Sequence, residues 1–286
     1  MPGRRSRPGV RRVATAAAIV VVLAYLGLLL LLRLSEARLI YFPGASRTLL
    51  APPAALGLPV RRVEFAAEDG VRLVAWEIPA APPDSSGLWL LICHGNAGNI
   101  SEFGRPQHYA GLRRLGVNLL AFDYRGYGES GGRPTEAGLY RDADAAYHYL
   151  RERRGVPAER IVVFGHSLGS AVAIDLASRE PVAGLVIEGA PTSVVDRGQE
   201  LYPFVPVRWI AASRFGSLEK IARVRAPKLF LHAVADEVIP VAHGRRLFAA
   251  APEPKELVEL RGGHGDAFEV DSARYFGSIG RFLGRL

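Results

Sequence analysis

Hydrophobic positions after residue 60 fall into short, nearly continuous runs, and stretches with helical spacing lie between them. Strands that are apolar at every position are buried on both faces, which is typical of a parallel sheet covered by helices. Upstream of these, VRRVEF and VRLVAWEI flank Glu68-Asp69-Gly70, an Asp-Gly hairpin signal that predicts two antiparallel strands at one edge. The pattern therefore predicts an α/β fold with an eight-stranded, mostly parallel sheet. The six parallel strands are LWLLICH, VNLLAFD, RIVVFG, GLVIEG, KLFLHAV and KELVEL.

A different pattern occupies residues 13–32, twenty residues without a charge. As a helix this run would be roughly 30 Å long, the thickness of the hydrocarbon layer of a bilayer. It lacks the polar stripe that a soluble core helix would carry. The basic residues around it are Arg4, Arg5, Arg7, Arg11 and Arg12 before the run and Arg33 and Arg38 after it. This asymmetry predicts a single-pass membrane helix with a cytoplasmic amino terminus and an extracytoplasmic remainder.

A cleaved signal peptide is the alternative interpretation of this segment, since Ser35-Glu36-Ala37 offers small residues at a suitable spacing. The apolar run exceeds the roughly 7–15 residues of a signal core, which favours a retained anchor. The Pro-, Ala- and Leu-rich stretch that follows reads as a linker, and its part from Leu39 to Pro59 could span at most roughly 70 Å. The predicted organisation is a basic cytoplasmic tail (1–12), a transmembrane helix (13–32), a linker (33–59) and a globular domain (60–286).

The distribution of charge argues against nucleic-acid binding. The net charge is +8, but residues 1–38 hold seven arginines and one acid, which accounts for +6 of it. The globular part is therefore almost balanced and offers no obvious surface that would follow a phosphate backbone. The single cysteine, Cys93, excludes an intramolecular disulfide.

The strongest chemical signal is Gly165-His166-Ser167-Leu168-Gly169, which follows the RIVVF strand and precedes the helical LGSAVAIDLA. A Gly-x-Ser-x-Gly sequence at a strand-to-helix junction predicts a nucleophile elbow, with Ser167 as the nucleophile. The glycines allow neighbouring backbone to approach a strained turn, and the helix amino terminus favours developing negative charge beside the serine.

A serine hydroxyl needs a base to take its proton, and the base needs an acid to orient it. We predict His264 as the base, because glycines flank it on a loop after the last strand and because the chain order is serine, acid, histidine. Asp236, at the carboxyl end of KLFLHAV, is the predicted acid. Glu188, at the end of GLVIEG, is its main rival, and Glu237 is a weaker one.

Acyl transfer also needs hydrogen-bond donors for an oxyanion. The backbone N–H of Leu168, directly after the nucleophile, is one predicted donor. The other is expected from the glycine-rich loop after LWLLIC, with Asn96 the best placed and Ala97 next. His94, in the same loop, is expected to brace the loop rather than to react.

These motifs together carry a resemblance to a known group. The loops His94–Asn99 and Asp123–Ser130, the GHSLG sequence, and the Asp236 and His264 loops resemble the α/β-hydrolase superfamily, most closely its BEM46-like branch. The resemblance spans roughly residues 39–286. It implies a serine hydrolase that cleaves carboxylic esters or thioesters through an acyl-enzyme, with lysophospholipids or acylated molecules among the possible substrates. A serine peptidase, an acyltransferase and a catalytically silent binding protein stay open as alternatives.

Two further expectations concern the substrate. Only about 35 residues separate GLVIEG from KLFLHAV, so the cap over the site should be small. Within it, residues 191–215 are expected to form either a short apolar rim over the serine or a surface loop packed on the sheet.

No metal or cofactor is expected, because a triad supplies both nucleophile and base. The expected partners are a small ester or lipid-like substrate and the membrane, and the oligomeric state is left open.

Overall fold

The computed structural model describes residues 8–44, 47–82 and 86–286. Within them, eight strands form one sheet in the order β1-β2-β4-β3-β5-β6-β7-β8. The edge hairpin β1–β2 is antiparallel, β2 is antiparallel to β4, and the strands from β4 to β8 are mutually parallel. The predicted α/β architecture is confirmed. The strands are β1 Arg61–Ala66, β2 Arg72–Ile78, β3 Trp89–Cys93, β4 Asn118–Phe122, β5 Ile161–His166, β6 Gly184–Glu188, β7 Lys228–Ala233 and β8 Lys255–Leu260.

Helices cover both faces of the sheet, as the doubly apolar strands require. One core cluster joins the sheet to α3, α4, α7 and α8, and a second joins the opposite face to α2 and α10. The helices after residue 60 are α2 Arg105–Arg113, α3 Glu136–His148, α4 Leu168–Ala177, α5 Val194–Leu201, α6 Val207–Ile210, α7 Ser217–Ile221, α8 Val241–Ala250, α9 Ala267–Val270 and α10 Ser272–Leu283. The carboxyl ends of β3, β5, β6, β7 and β8 consequently meet along one edge, where open α/β sheets place their sites.

The amino-terminal helix α1 is longer than the sequence predicted, running from Pro8 to Ile40. Residues 33–40, expected to be linker, are helical. A charge such as Arg33 ends a membrane-spanning run but not a helix, and no proline or glycine follows until Pro43. Helix α1 is a candidate membrane span or signal sequence by length and composition. Arg4, Arg5 and Arg7 of the predicted cytoplasmic tail lie outside the described residues.

The chain after α1 is not the extended linker of up to 70 Å that its composition suggested. The backbone of Phe42 pairs with the Asn96 loop, accepting from Gly98 N–H at 2.8 Å and donating to Asn96 O at 2.9 Å. Tyr41 is buried against Phe215. The end of α1 is therefore held directly against the globular domain, because aromatic burial and backbone pairing outweigh the freedom of a Pro-rich linker.

The small cap expected between β6 and β7 consists of residues 191–215, including α5 and α6. We call these residues the cap. Ser193 caps α5, its hydroxyl accepting from Asp196 N–H at 2.8 Å. Several apolar side chains of the cap line a cavity that reaches Ser167, so they form the expected rim, while Phe215 at the end of the cap is buried in the core against the sheet.

Candidate active site

The turn between β5 and α4 holds Ser167 in a strained backbone conformation, with φ 54° and ψ −122°. Positive φ is unusual for a residue with a side chain and persists only where the surroundings enforce it. Both flanking glycines are required by close packing. A Cβ on Gly169 would lie 2.1 Å from the carbonyl oxygen of Cys93, and one on Gly165 would lie 2.5 Å from the Cα of Ser170. The turn therefore has the geometry of a nucleophile elbow.

Three side chains from three loops meet at this turn. The Oγ of Ser167 lies 2.8 Å from Nε2 of His264, and Nδ1 of His264 lies 2.7 Å from Oδ2 of Asp236. A carboxylate can only accept, so Nδ1 carries the proton and Nε2 is free to accept from the serine. The arrangement has the distances and the tautomer of a serine–histidine–acid triad.

Asp236 is held in place by its own backbone contacts. Its Oδ1 accepts from the N–H groups of Val238 and Ile239, at 2.9 and 2.7 Å, and this leaves Oδ2 for His264. Burial alone would raise the pKa of Asp236. The hydrogen bond and the charge of His264 outweigh burial and leave that pKa below its ordinary value. Asp236 is therefore an anion suited to stabilising a protonated imidazole.

The two rival acids are placed elsewhere. Glu237 accepts from the backbone N–H of His264, at 3.4 Å, and not from its ring. Glu188 is buried and accepts from the hydroxyl of Tyr275 at 2.8 Å. Of the three acids, the structure brings only Asp236 to the ring of His264.

The predicted oxyanion donors lie beside the serine. Asn96 and Leu168 line one cavity together with Ser167. The side chain of Asn96 is engaged, its Nδ2 donating to Ile40 O at 3.0 Å, so its main chain is the available donor. Neither the N–H of Asn96 nor that of Leu168 donates to any residue in the described part of the chain. Two free amide groups beside the nucleophile can stabilise an oxyanion.

Comparison with known proteins places this geometry in a family. A family model described as "alpha/beta hydrolase fold" matches residues 89–210. The chain is 34% identical to the alpha/beta hydrolase domain-containing protein WAV2 of Arabidopsis thaliana, over 79% of this chain and 78% of that protein. It is 40% identical to Rv2307c, an uncharacterized protein of Mycobacterium tuberculosis, over 92% of each chain. The chain belongs to the α/β-hydrolase superfamily.

Solved structures agree on the fold. The Pyrococcus furiosus esterase Pf2001 superposes with a TM-score of 0.70 at 24% identity, covering 86% of this chain and 99% of that one. The Rhodococcus esterase RhEst1 gives 0.60 at 23% identity, covering 79% and 99%. The relatives that match, WAV2 among them, fit the BEM46-like branch of the α/β hydrolases.

His166 supports this hydrolase site in a way that the sequence did not reveal. Its Nε2 donates to the backbone carbonyl of His264, at 3.0 Å, so it holds the His264 loop in position. Burial, and then the proximity of His264, lower the pKa of His166 to about 3, which keeps it neutral. The position between the first glycine and the serine of Gly-x-Ser-x-Gly is variable, so it gives no sequence signal for such a contact.

His94 braces its loop, as expected. Its Nδ1 donates to Gly95 O at 2.7 Å, and its ring packs on Tyr124 and Tyr127. Burial lowers the pKa of His94, although the nearby carboxylate of Asp123, 3.4 Å from Nε2, opposes this effect. Among the described residues, no group of three or more His, Cys, Asp or Glu is arranged to hold a metal ion.

Two cavities open from Ser167. The first, about 210 Å³, is also lined by His264 and Gly265. Polar groups such as Arg105 and Glu188 line its wall together with Phe103 and Phe268. The second, about 270 Å³, lies on the side of Leu168, between α1 and the cap, and its lining is mostly aliphatic. We call them the histidine-side cavity and the anchor–cap cavity.

Glu188 gives the site a pH-sensitive buried acid. Burial raises its pKa from 4.5 to about 7, an effect that the hydrogen bond from Tyr275 only partly offsets. The folded chain then binds this proton more tightly than the unfolded chain does. Folding stability should therefore fall as pH rises from about 4.5 to about 7, by about 3 kcal/mol from this group.

Glu188→Gln removes this charge while keeping an acceptor for Tyr275. The melting temperature of the variant relative to wild type is expected to increase from pH 5 to pH 8, and thermal unfolding at both values measures it. A melting-temperature difference between the two proteins that is the same at pH 5 and pH 8 would contradict the raised pKa.

Proposed function

We propose that this chain is a serine hydrolase that cleaves carboxylic esters or thioesters through an acyl-enzyme at Ser167. The observation that carries the proposal is the pair of short contacts that link Ser167, His264 and Asp236. In this mechanism His264 takes the serine proton as Oγ attacks the carbonyl carbon. The backbone N–H groups of Asn96 and Leu168 stabilise the oxyanion. His264 then protonates the departing alcohol or thiol, and activates the water that releases the acid.

The two cavities suggest how a substrate lies in the site. The leaving group must depart beside the residue that protonates it, and His264 lines only the histidine-side cavity. The alcohol or thiol is therefore assigned to that cavity, and the acyl chain to the anchor–cap cavity. The mostly aliphatic lining of the latter suits a hydrocarbon chain.

Ester specificity is favoured over peptide cleavage by the lining of the site. Arg33, Glu36, Asn96, Arg197 and Tyr202 also line the mostly aliphatic acyl side. The Asn96 amide donates to Ile40 O, Glu36 accepts from two backbone N–H groups of the cap, and Arg197 donates to Val238 O, so these three side chains are already engaged and are not free to recognise a peptide backbone. A fatty acyl ester or thioester, including lysophospholipids, is the class that this lining accommodates.

The experiment compares p-nitrophenyl butyrate, a butyryl thioester and butyryl p-nitroanilide as substrates of the detergent-solubilised full chain. We expect release of product from the ester and the thioester, and little or none from the anilide. Cleavage of the anilide alone would favour the peptidase alternative. Transfer of the butyryl group to an added alcohol, in preference to water, would favour the acyltransferase. No turnover of any substrate above buffer would favour a silent binding protein.

We further propose that α1 is a retained membrane anchor that holds the domain at the extracytoplasmic face, with residues 1–12 in the cytoplasm. Its uncharged run is long enough to span a bilayer, and the chain directly after it packs on the domain through Tyr41 and Phe42. The full-length chain is expected to stay in the membrane pellet after alkaline carbonate extraction, with a carboxyl-terminal reporter accessible from outside. Release of a chain that begins near Arg38 would indicate a cleaved signal peptide.

A further inference from the structure

Helix α1 is seated against the cap by polar contacts at two levels. The hydroxyl of Tyr25 donates to the carbonyl of Phe204 at 2.8 Å. One level further on, the carboxylate of Glu36 accepts from the N–H groups of Ala212 and Ser213, at 2.8 and 2.6 Å. Tyr25 and Glu36 are eleven residues apart, close to three helical turns and roughly 16 Å, so they share one face of α1. The helix and the cap are therefore joined along a length of the helix and not at a single point.

The anchor–cap cavity lies along this same face. Leu32, Leu39 and Ile40 of α1 line it together with Arg33 and Glu36, and Ser167 is also part of its lining. From the cap, the aliphatic lining residues are Val194, Leu201, Val205, Val207, Ile210 and Ala211, and Pro191, Arg197, Gly198 and Tyr202 also line the cavity. One wall of the path to the nucleophile is thus the end of the apolar helix itself.

On the proposed anchor topology, the part of the cap nearest α1, which includes Phe204 and which we call the cap edge, lies at the depth of the bilayer surface or below it. If the uncharged run ends at Leu32 at the membrane surface, Tyr25 lies roughly 10 Å beneath that surface. The carbonyl of Phe204 accepts the hydrogen bond from Tyr25, and the Phe204 residue is 89% exposed. Trp209 is equally exposed. Large exposed aromatic side chains that flank an apolar helix are typical of a membrane interface.

We propose that this cap edge is immersed in the bilayer, and that the anchor–cap cavity binds the acyl chain of a membrane lipid that enters sideways between α1 and the cap. This proposal rests on the proposed function and names its substrate class, a long-chain acyl ester or thioester resident in the bilayer. The reactive carbonyl stops at Ser167, and the leaving group faces His264. Substrate then passes from lipid to site without crossing water.

Immersion of the cap edge is tested without any catalysis. The chain has three tryptophans, of which Trp76 is buried and Trp89 is half-buried in the sheet. The full chain is reconstituted in phosphatidylcholine vesicles whose acyl chains carry bromine, which quenches nearby tryptophan emission. We expect bromolipid to quench the wild type, and Trp209→Phe to remove most of that quenching. An equal quenched fraction in both proteins would overturn the immersion.

The acyl path is tested by filling the cavity. Ala211 lines it, whereas the adjacent Ala212 is exposed and does not. We measure kcat/KM for p-nitrophenyl palmitate in vesicles, divided by kcat/KM for soluble p-nitrophenyl butyrate. Ala211→Phe is expected to lower this ratio about tenfold, the effect of losing about two buried methylenes, and Ala212→Phe to leave it nearly unchanged. An unchanged ratio in Ala211→Phe would overturn the acyl path.

These outcomes separate this inference from the proposed function. If wild type hydrolyses neither ester, the proposed function fails, whatever the fluorescence shows. Suppose instead that the wild type hydrolyses p-nitrophenyl butyrate, but Ala211→Phe leaves the kcat/KM ratio unchanged and Trp209→Phe leaves the quenching unchanged. The ester hydrolase is then supported, and lipid entry beside α1 is wrong.

Discussion

Replacing Ser167 by alanine is expected to lower kcat for ester hydrolysis by about 10⁵-fold or more, since no other nucleophile lies within reach of His264 in the described site. The only described hydrogen bond of its Oγ is the one to Nε2 of His264, so little packing is lost. The fold should therefore survive, and circular dichroism should match the wild type. Steady-state rates with p-nitrophenyl butyrate measure the effect.

Ser178→Ala is the matched control for that variant. Its hydroxyl donates to Asp175 O at the carboxyl end of α4, so the change removes the serine that flanks the other end of the helix without touching the site. It should keep nearly full activity. If Ser167→Ala retained more than about 1% of kcat, far above the remainder expected once a nucleophile is lost, another nucleophile would be responsible.

Asp236→Asn is expected to lower kcat by about 10³- to 10⁴-fold. The N–H groups of Val238 and Ile239 fix which side of the asparagine amide faces the histidine, because they require an acceptor. The amide nitrogen is left to donate to Nδ1 of His264. That forces the proton of the imidazole onto Nε2, which then cannot accept the proton of Ser167.

The rival acids provide the controls for this second variant. Glu188→Gln and Glu237→Gln leave the Asp236–His264 contact intact, so each should cost far less, within about tenfold. All three variants are assayed under identical conditions. A larger loss in Glu188→Gln than in Asp236→Asn would transfer the acid role to the end of β6.

The sheet and the elbow could be predicted because their signals are local. Each parallel strand is a short apolar run. The strained turn at Ser167 requires glycine at positions 165 and 169, and these two glycines are visible in the sequence. The order of serine, acid and histidine along the chain then limited which residues could be the base and the acid. Choosing between Asp236 and Glu188 needed the three-dimensional structure, since adjacent strand ends reach the same histidine.

Contacts between distant segments could not be read from sequence. Nothing in the residues around Tyr25 indicates that its hydroxyl meets Phe204, 179 residues later. The contact of His166 with the His264 loop leaves no sequence signal either, because the position before the serine of the elbow motif is variable. The length of α1 differs from the prediction for another reason. Hydrophobicity defines only the uncharged run, which ends at Leu32, whereas the helix continues to Ile40.

Helix α1 and the cavity that reaches Ser167 are in direct contact, and this has a consequence for processing. Cleavage near Ala37 would remove Leu32 and Glu36, and with them part of one wall of the anchor–cap cavity and the contact with Ala212 and Ser213. The cavity that reaches Ser167 would then open to water. This favours the retained anchor on grounds independent of hydrophobic length.

The most direct test of the central claim is to locate the covalent bond that the site forms. The full chain is treated with a fluorophosphonate, which phosphonylates an activated serine, and the adduct is mapped by peptide mass spectrometry. The account predicts one adduct per chain, on Ser167, with labelling abolished in Ser167→Ala and much slower in His264→Ala. An adduct on a different residue, or ester turnover that persists with Ser167 unmodified, would contradict it.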